Sequence, residues 1–432
     1  PGRYDEKYEQ GGHDYPLGFV RWTEQRNFEA VLDAMRSSRL DVKTLITHRI
    51  AFDRAVDTYD RMIHDPEALG VVIEFPPTVL EIKPESQAVY FSVKAKSSGG
   101  DAASPVVGVI GAGNYARSTL LPALASTPAR LSAVADINPV AAAHAAKKFG
   151  AAKALSDYKV ILDDPEIQAV FVLVGHHLHA SFVREALTAG KHVFVEKPLA
   201  INEAQLYEVT KLYTELDSRL RENDHVKMVM VGFNRRFSPH IVKVKELLAD
   251  RTGPLCMTMT VNAGFIPPEH WTQDPERGGG RIIGEGCHFI DVLAFLSGTP
   301  VVSVSSKMTR GSAPVREDKM SILLGFADGS VGTVHYFANG AKSYPKETLE
   351  IYGDGRVIRL ENFRATIGFG FKTFRSFRTW RQDKGHRAEI AAFIEAVAAG
   401  GPPLIPFNEI VNVTKASIAA VESSKTGKVI SI

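Results

Sequence analysis

Apolar positions along the chain change their period twice, which divides it into three blocks. In the first block, apolar residues recur at helical spacing over residues 28–35 and again over residues 52–63, and the following run GVVIEF predicts a strand. From about residue 105, unbroken apolar runs alternate with helical patterns, as parallel strands buried on both faces require. From about residue 233, strand-like runs such as CMTMTVNAG, VVSVSSKMT and VGTVHYF follow one another with short turns. This last pattern predicts a mostly antiparallel sheet.

Small and turn-forming residues separate these blocks. The stretch KAKSSGGDAASP has the composition of a solvated linker. We therefore expect a small α/β piece over residues 1–93, a linker over residues 94–104, a parallel-sheet domain over residues 105–232 and an α+β domain over residues 233–432. The C-terminal segment is expected to pack back on the parallel-sheet domain.

A glycine-rich turn follows the first apolar run of the second block, in SPVVGVIGAGNYARSTLL. Gly111 permits a tight turn, Gly113 lets a pyrophosphate approach the backbone, and the small Ala116 lets helix and strand pack closely. The helix that begins here offers unpaired N–H groups to an anion. Asn114 and Tyr115, in the same turn, are further candidate cofactor contacts. The pattern predicts a dinucleotide site, and the alternative is an ordinary turn between strand and helix.

Asp136 ends the next apolar run, LSAVAD, at the distance expected for the second strand of such a unit. A carboxylate there suits the ribose hydroxyls and repels a 2′-phosphate, so NAD is the expected cofactor and NADP is less favoured. The alternative is a surface aspartate beside a pair of turn glycines. With the continuing alternation of strands and helices, the block is predicted to be a doubly wound Rossmann sheet.

The stretch GKHVFVEKPLA ends a buried strand in Glu196 and Lys197. The carboxyl ends of strands in an open parallel sheet face the ligand crevice, so both residues are expected near the nicotinamide. A lysine there can share a proton and hydrogen-bond a substrate oxygen. The alternative is a surface lysine at the end of a strand.

A histidine, His288, stands before an apolar helix in GGGRIIGEGCHFID. Its unperturbed pKa lies close to neutral pH, so it can take the hydroxyl proton when a secondary alcohol is oxidised and return it in reduction. The preceding glycines would let this segment bend close to a substrate. The alternative is a core histidine whose hydrogen bonds are satisfied within the protein.

Composition narrows the class of protein further. A hydrophobic fraction of 44% with 23% charged residues is ordinary for a globular chain. The formal net charge of +2, spread without a basic block, argues against nucleic acid or an anionic membrane as partner. Two cysteines, Cys256 and Cys287, exclude a disulfide framework and a multi-cysteine zinc site and fit the cytoplasm. No run approaches the roughly 20 apolar residues of a membrane span.

These motifs resemble the Gfo/Idh/MocA oxidoreductases, the glucose-fructose oxidoreductase and inositol dehydrogenase family. The resemblance runs from about Val106 to Ile432 and rests on GAGNYA, AGKHVFVEKPLA, GFNRRFSP, GGGRIIGEGCHFID and SSKTGKVISI, in the family's order. It implies that Lys197 and His288 act at the substrate. Many members carry an aspartate four residues before that histidine. Here Gly284 stands at that position, and Glu285 beside it is the candidate catalytic substitute.

The stretch VLVGHHLHA differs from the Thr-Pro-Asn-like turn common in the family. By this resemblance His176 aligns with the asparagine and is expected to contact the cofactor ribose, while His179 aligns with the family histidine. The cluster with His177 raises the possibility of a metal site, but no acids or cysteines converge on it in the sequence. We therefore expect these rings to pair with backbone groups, and no metal.

Two short stretches are expected to reach the substrate. NRRF follows the last strand of the Rossmann domain, where an arginine suits a carboxylate or phosphate, and an interdomain salt bridge is the alternative. EHW lies on a loop that leads into the catalytic segment, where an aromatic ring suits the apolar face of a sugar or anchors the loop. The candidate substrate contacts are Asn234, Arg235, Arg236, His270, Trp271 and Arg281.

The first block resembles the C-terminal end of the medium-chain, alcohol-dehydrogenase-like reductases. The resemblance covers residues 15–75 and rests on LDVKTLITHRIAFDRAVDTYDRM and ALGVVIEF. The zinc ligands and the dinucleotide fold of that family would lie upstream, so we expect the tail of a larger fused protein, with a structural or docking role and no zinc. An unrelated α/β cap is the alternative. The bi-domain subgroup with such a fusion is met in polysaccharide or sugar-nucleotide settings.

The residues and the resemblance predict an NAD-dependent dehydrogenase or reductase for a secondary hydroxyl of a sugar, sugar nucleotide or cyclitol. Lys197 and His288 would handle the hydroxyl proton. Two other functions stay open: a catalytically silent NAD-binding sensor or scaffold, which Gly284 favours, and a glycosidase-type enzyme that oxidises a sugar transiently and returns the hydride. The sheet of the last block is expected to form a homodimer or homotetramer.

Overall fold

The computed structural model describes residues 15, 18, 20–75, 89–90, 104–218, 227–310 and 315–432. Contacts divide the chain into two compact parts, Pro1–Glu81 and Ile82–Ile432, and each is described by itself. The linker predicted over residues 94–104 lies outside the described residues except for Ser104.

The described portion of the first part contains two longer helices and a pair of parallel strands. Helix α1 is Glu24–Arg36, strand β1 is His48–Ala51, helix α2 is Ala55–Ile63 and strand β2 is Val71–Glu74. The two predicted helices and the strand predicted from the run GVVIEF, which forms β2, are confirmed, whereas β1 lacks an apolar run that would predict it. No residue of α1 is buried. Its apolar stripe is exposed and consists of Phe28, Val31, Leu32 and Met35.

Seven described strands of the second part form a sheet in the order β3-β6-β5-β4-β7-β8-β9. Every neighbouring pair is parallel except β3 with β6. Along β7, successive residues belong alternately to two separate apolar cores, so the sheet is buried on both faces. This burial explains the unbroken apolar runs and confirms the predicted Rossmann-like sheet. The strands are Val89–Tyr90, Val106–Ile110, Arg130–Ala135, Lys153–Leu155, Ala169–Val172, His192–Val195 and Val229–Val231.

Five described α-helices accompany this sheet, and local signals set where they begin and end. The Asn138 side chain accepts hydrogen bonds from the first N–H groups of α4, and Gly150 ends that helix in the left-handed region. Asn202 caps α7 in the same way, where the sequence predicts its start. The helices α3 to α7 are Leu121–Leu124, Pro139–Phe149, Lys159–Asp163, His179–Thr188 and Glu203–Asp217.

The following domain is built on nine described strands in the order β17-β16-β15-β14-β10-β13-β12-β11-β18. Only β10 and β13 run parallel, so the predicted mostly antiparallel sheet is confirmed. Buried residues alternate with more exposed ones along β12, which gives the sheet one core face. The strands β10 to β18 are Cys256–Asn262, Val301–Met308, Lys319–Phe326, Val331–Phe337, Glu347–Gly353, Arg356–Glu361, Ala365–Phe369, Ser376–Arg378 and Ile430–Ser431.

Helices connect this sheet to the Rossmann-like sheet within the second part of the chain. Helices α8 to α11 are Pro239–Leu247, Cys287–Ser297, His386–Ala399 and Phe407–Thr426. On α10, the Phe393 ring packs edge-on against Phe171 and Phe194 of the Rossmann-like sheet, at 5.5 and 5.7 Å between ring centroids. Phe407 of α11 stacks on Tyr213 of α7 at 3.8 Å. Among the described helices, none combines the length and apolar composition needed to cross a membrane.

Candidate active site

The glycine turn after β4 has the geometry that a dinucleotide site needs. Gly111 has a φ of +101°, and a Cβ atom there would lie 2.4 Å from the carbonyl oxygen of Leu173. Gly113 has nothing within 4 Å of the position a Cβ would take, so its backbone is open to a ligand. The Asp136 carboxylate accepts hydrogen bonds from the backbone N–H groups of Ala112 and Asn138, at 2.6 and 2.8 Å. These bonds hold the acid beside the turn.

A cleft of about 1020 Å³ opens at this turn, and we call it the cofactor cleft. It runs along the carboxyl ends of the strands in the Rossmann-like sheet. Every predicted cofactor contact lines it, namely Gly111, Gly113, Asn114, Tyr115, Ala116, Asp136, His176, His179, Glu196 and Lys197. Arg277 and Phe182 also line the cleft, and the sequence analysis did not predict them as cofactor contacts.

A second cavity of about 300 Å³ adjoins the cofactor cleft, and we call it the substrate pocket. Lys197, His288 and Glu285, the predicted catalytic residues, all line it. The side chains that line both cavities belong to Tyr115, His176, Lys197 and Trp271. Asn234, Arg235 and Arg281 also line the pocket, whereas Arg236 and His270 are not among its lining residues.

His288 lies on the first turn of α9 and is buried. Its Nδ1 atom has no hydrogen-bond partner among the described residues. Burial, and then the neighbouring charges of Arg235 and Lys197, lower the pKa of His288 well below its ordinary value. The ring is therefore neutral and a weaker base than a free imidazole, and it lies in the wall of the pocket. The unpartnered nitrogen argues against a core histidine that is satisfied within the protein.

Glu196 and Lys197 follow β8 directly, at the boundary of the two cavities. Glu196 is buried, and loss of solvent raises its pKa to about 7 although the charge of Lys197 opposes the shift. The nearby Tyr115 side chain favours the ionised form of Glu196, and burial raises the tyrosine pKa. This carboxyl group can therefore exchange a proton near neutral pH, beside the ammonium of Lys197.

Of the three histidine rings after β7, those of His176 and His179 pair with backbone carbonyls as expected, whereas the buried Nδ1 of His177 has no hydrogen-bond partner among the described residues. His179 contacts the carbonyl oxygens of Pro198 and Val174, at 2.7 and 3.1 Å, and burial lowers its pKa to about 4. His176 makes a 2.8 Å hydrogen bond from Nδ1 to the carbonyl oxygen of Gly278, and burial lowers its pKa to about 2. Since a carbonyl only accepts, the neutral His176 ring carries its proton on Nδ1 and presents Nε2 as an acceptor. In the described part of the chain, no group of three metal-ligating side chains is found.

Gly284 faces the His176 ring from the turn before α9. A Cβ atom at Gly284 would lie 2.9 Å from the ring Cε1 and 3.0 Å from Nδ1. The imidazole therefore fills the space that a side chain at this position would need. An aspartate at residue 284, common in the family that the sequence resembles, is incompatible with His176 in this position.

Glu285 is held by three donors. It accepts hydrogen bonds from Arg281 at 2.8 Å, from Lys346 at 3.2 Å and from the Tyr336 hydroxyl. The positive charges of Lys346 and Arg281 outweigh burial and lower the pKa of Glu285 below its ordinary range. A carboxylate so strongly held in its ionised form is a poor proton acceptor at neutral pH. Its contacts instead fix Arg281, which also donates to the carbonyl oxygen of Gly264 at 2.6 Å.

The two arginines predicted to reach the substrate form buried ion pairs. Arg235 donates two hydrogen bonds to Glu347, at 2.8 and 2.9 Å, and Glu347 is fully buried. Arg236 pairs with Asp291 at 2.6 Å and with Glu409 at 2.9 Å. These salt bridges lie within residues 233–432 and are not the interdomain pair that was the alternative interpretation, and Arg235 in addition lines the pocket.

Sequence reasoning missed two basic side chains of the pocket. Lys384, just before α10, and His386, its first residue, line the pocket and lie in the stretch QDKGHRAEI. Lys384 contacts the Glu347 carboxylate at 2.6 Å, and its carbonyl oxygen accepts a hydrogen bond from the Asn234 side chain at 2.7 Å. The only signal in the sequence is the glycine that precedes a helix, and this does not indicate which site the helix reaches.

The glycine turn, the cofactor cleft and the adjoining polar pocket define a nicotinamide-dependent oxidoreductase, and two family matches agree. Residues 106–224 match a family described as "Oxidoreductase family, NAD-binding Rossmann fold", and residues 241–359 match the "GFO/IDH/MocA C-terminal domain". Inositol 2-dehydrogenase 2 of Saccharopolyspora erythraea is 30% identical over 309 residues, which are 68% of this chain and 85% of that protein. The chain belongs to the Gfo/Idh/MocA oxidoreductase family.

Other similar proteins are also dehydrogenases of sugars and cyclitols. Inositol 2-dehydrogenase of Rhizobium meliloti is 27% identical over 75% of this chain and 98% of its own length. D-xylose 1-dehydrogenase (NADP(+)) 2 of Haloferax volcanii is 26% identical over 75% of this chain and 99% of its own length. The solved structure of levoglucosan dehydrogenase in complex with NADH and levoglucosan has a TM-score of 0.65 at 24% identity, covering 76% of this chain and 99% of that one, which shows the shared fold.

Proposed function

We propose that the protein transfers a hydride between NAD and a secondary hydroxyl of a sugar, sugar nucleotide or cyclitol, with Lys197 and His288 handling the hydroxyl proton. The observation that carries this proposal is the position of Lys197 at the boundary of the two cavities, in the same pocket as His288. A substrate hydroxyl in that pocket can meet both groups. Relatives named as inositol and xylose dehydrogenases support the class of substrate.

The residues of the cofactor cleft fit a dinucleotide. The open backbone at Gly113 leaves room for a pyrophosphate, and the Asp136 carboxylate suits ribose hydroxyls while repelling a 2′-phosphate. His176 offers the neutral acceptor Nε2 at the inner end of the cleft, where a ribose or substrate hydroxyl can donate to it. When bound, NAD supplies the hydride acceptor.

In the oxidising direction, we assign proton removal to His288 because its neutral ring lies in the wall of the pocket together with Lys197. The Lys197 ammonium donates a hydrogen bond to the same substrate oxygen and stabilises the negative charge that develops there. Glu196, with a pKa of about 7, can exchange a proton near neutral pH close to the lysine. Glu285 has a positioning role through Arg281, in place of the catalytic role expected from the sequence.

Single-turnover hydride transfer at saturating NAD tests these roles, with substrates taken from a panel of sugars and cyclitols. We expect Lys197→Met and His288→Asn each to slow hydride transfer by about 10²- to 10⁴-fold, the range of lost acid–base catalysis. NAD affinity, measured by calorimetry, should stay near that of the wild type. His270→Asn is the matched control, since His270 does not line the pocket. Near-wild-type rates in both variants would refute the assignment.

A catalytically silent NAD-binding sensor is the second candidate. Gly284 stands where many family members carry an aspartate, and the neighbouring Glu285 is already hydrogen-bonded to Arg281 and Tyr336. NAD binding without turnover of any sugar in the panel would favour it. A transient oxidation that returns the hydride would instead show product formation without net NADH.

For the first part of the chain, we infer that residues 15–75 are the end of a medium-chain reductase-like domain. The exposed apolar stripe of α1 supports this, because such a stripe needs a further surface to cover it. We expect residues 1–93 to bind no catalytic zinc. Elemental analysis of the purified protein tests this, and stoichiometric zinc would contradict it.

We further infer association into a dimer or tetramer through the outer face of the nine-stranded sheet. Tyr352, Cys256 and Val331 are exposed cross-strand neighbours on that face. Covering such apolar positions favours association. Light scattering should find a dimer or tetramer at micromolar concentration, and monomer alone would contradict the inference.

A further inference from the structure

The charges around the substrate pocket are unequal in number. Four cationic side chains line it, those of Lys197, Arg235, Arg281 and Lys384. Among the described residues that line the pocket, Glu285 is the one acidic residue. A concave, partly enclosed site with such an excess of one sign attracts ligands of the opposite sign.

The buried carboxylates near the pocket do not remove this excess. Glu347 lies against both Arg235 and Lys384, with the lysine ammonium at 2.6 Å. Glu285 in the same way lies between Arg281 and Lys346. Each carboxylate therefore neutralises the charge of one of the two cations beside it, and the positive charge of the other remains.

Of the four cations, Lys197 is the one that also lines the cofactor cleft. The one acid beside it is Glu196, whose pKa of about 7 leaves it partly protonated at neutral pH. In the described part of the chain, the Lys197 ammonium makes no ion pair within 4.0 Å. Its charge is therefore only partly balanced.

Neighbouring titratable groups respond to this positive potential. Burial, followed by the charges of Arg235 and Lys384, lowers the pKa of His386 to about 4. The pKa of Lys384 is lowered by burial and by Arg235, although Glu347 opposes the shift. His386 and His288 are consequently neutral and add no charge, whereas an anion in the pocket would stabilise every cation around it.

We propose that the substrate is a sugar acid, whose carboxylate is bound by Lys384 and Arg235 while its reacting hydroxyl lies at Lys197 and His288. This proposal rests on the proposed function and names its class of substrate. The pocket volume of about 300 Å³ is at the lower end for small-molecule sites, which favours one acidic sugar ring over a nucleotide-linked sugar. Carboxylates form charge-assisted hydrogen bonds with lysine and arginine.

The test compares hexuronates with their parent hexoses and with UDP-hexoses, using NADH formation by the full chain. We expect kcat/KM to be higher for a hexuronate than for its parent hexose by about tenfold or more, the effect of one charge-assisted hydrogen bond. The preference should weaken as salt concentration rises. Equal or better turnover of the neutral hexose would overturn the proposal, and so would a preference for the UDP-hexose.

Two lysines provide a matched pair of variants. Lys384 lines the pocket and contacts Glu347, whereas Lys346 contacts Glu285 without lining the pocket. Lys384→Gln should lower kcat/KM for the hexuronate about tenfold while changing that for the parent hexose less than about twofold. Lys346→Gln should leave the ratio between the two substrates unchanged. An equal loss for both substrates in Lys384→Gln would overturn the proposal.

A binding measurement separates this proposal from the proposed function. Calorimetric titration of the wild-type protein and NADH with glucuronate, galacturonate, mannuronate and their parent hexoses needs no turnover and no variant. Tighter binding of a hexuronate in this titration, with no NADH formed from NAD in the turnover assay, would support the anion site and contradict the proposed function. Hydride transfer from sugars without tighter hexuronate binding would support the function and overturn the anion site.

Discussion

Replacing Gly284 with alanine tests the contact between the turn before α9 and the ring of His176. The new methyl carbon would lie 2.9 Å from Cε1 and 3.0 Å from Nδ1 of the ring, and 3.3 Å from the carbonyl oxygen of Gly278. Ordinary carbon contacts are about 3.5–4.0 Å. The ring must therefore retreat by roughly half an ångström or more. Because it is buried and bonded to that same carbonyl at 2.8 Å, it has little room to move.

The cost follows from the opposing effects. Overpacking a buried site costs about 1–3 kcal/mol, and weakening the hydrogen bond from His176 costs up to about 1 kcal/mol more. Replacing a helical glycine by alanine stabilises by about 1 kcal/mol. We expect Gly284→Ala to lower the free energy of unfolding by up to about 3 kcal/mol.

Urea unfolding of four proteins measures the effect: wild type, Gly284→Ala, His176→Ala and the double variant. Without the ring the methyl group has space, so Gly284→Ala should become neutral or stabilising in the His176→Ala background. Gly286→Ala is the control in the same turn, since its Cβ would meet Ile282 at an ordinary 3.5 Å. If Gly284→Ala stabilises the wild-type background as much as the His176→Ala background, the contact does not constrain the site.

Three further changes test the site and its surroundings. Asp136→Ser should narrow the difference in affinity between NAD and NADP in calorimetric titration, because it removes the charge that repels a 2′-phosphate. Tighter binding of NADP than of NAD by the wild-type protein would refute the role of the acid. Glu285→Gln should destabilise the protein by about 3 kcal/mol, because buried Arg281 loses its carboxylate, yet leave the midpoint of the pH–rate profile unchanged. A shifted midpoint would make Glu285 catalytic. Glu389 is fully buried without hydrogen bonds among the described residues, and burial raises its pKa well above 4.5. As the pH rises above 4.5, the unfolded chain releases the Glu389 proton while the folded protein retains it, which destabilises the wild type. The Glu389→Gln variant should therefore become more stable relative to the wild type over this pH range. A difference in urea unfolding that does not depend on pH would contradict this.

Local sequence patterns were sufficient for the parts of the fold that depend on nearby residues. The order of apolar runs predicted the buried strands β4, β5, β7, β8 and β9, since burial on both faces requires them to be apolar throughout. Asn202 marked the start of α7 because a cap acts on the N–H groups of the next turn. Short strands at the end of the chain, such as β17 and β18, lacked a pattern because three and two residues carry too little periodicity.

The residues of the cofactor cleft could be found for the same reason. They lie at the ends of successive strands, and a parallel sheet brings those ends to one edge. Lys197 and His288 needed the resemblance as well, because spacing alone did not distinguish a catalytic histidine from one in the core. The sequence therefore determined which strand ends meet and which side chains they carry.

Tertiary structure alone decided which charges meet. The partner of Arg235 is Glu347, 112 residues away, and that of Arg236 is Asp291, 55 residues away. Gly284 likewise faces His176 from a distant part of the chain. No local spacing encodes such pairs, because they form only where distant segments of the chain pack together. The physical reason is that a buried charge needs a partner of opposite sign, and which partner it finds depends on the packing of the whole chain.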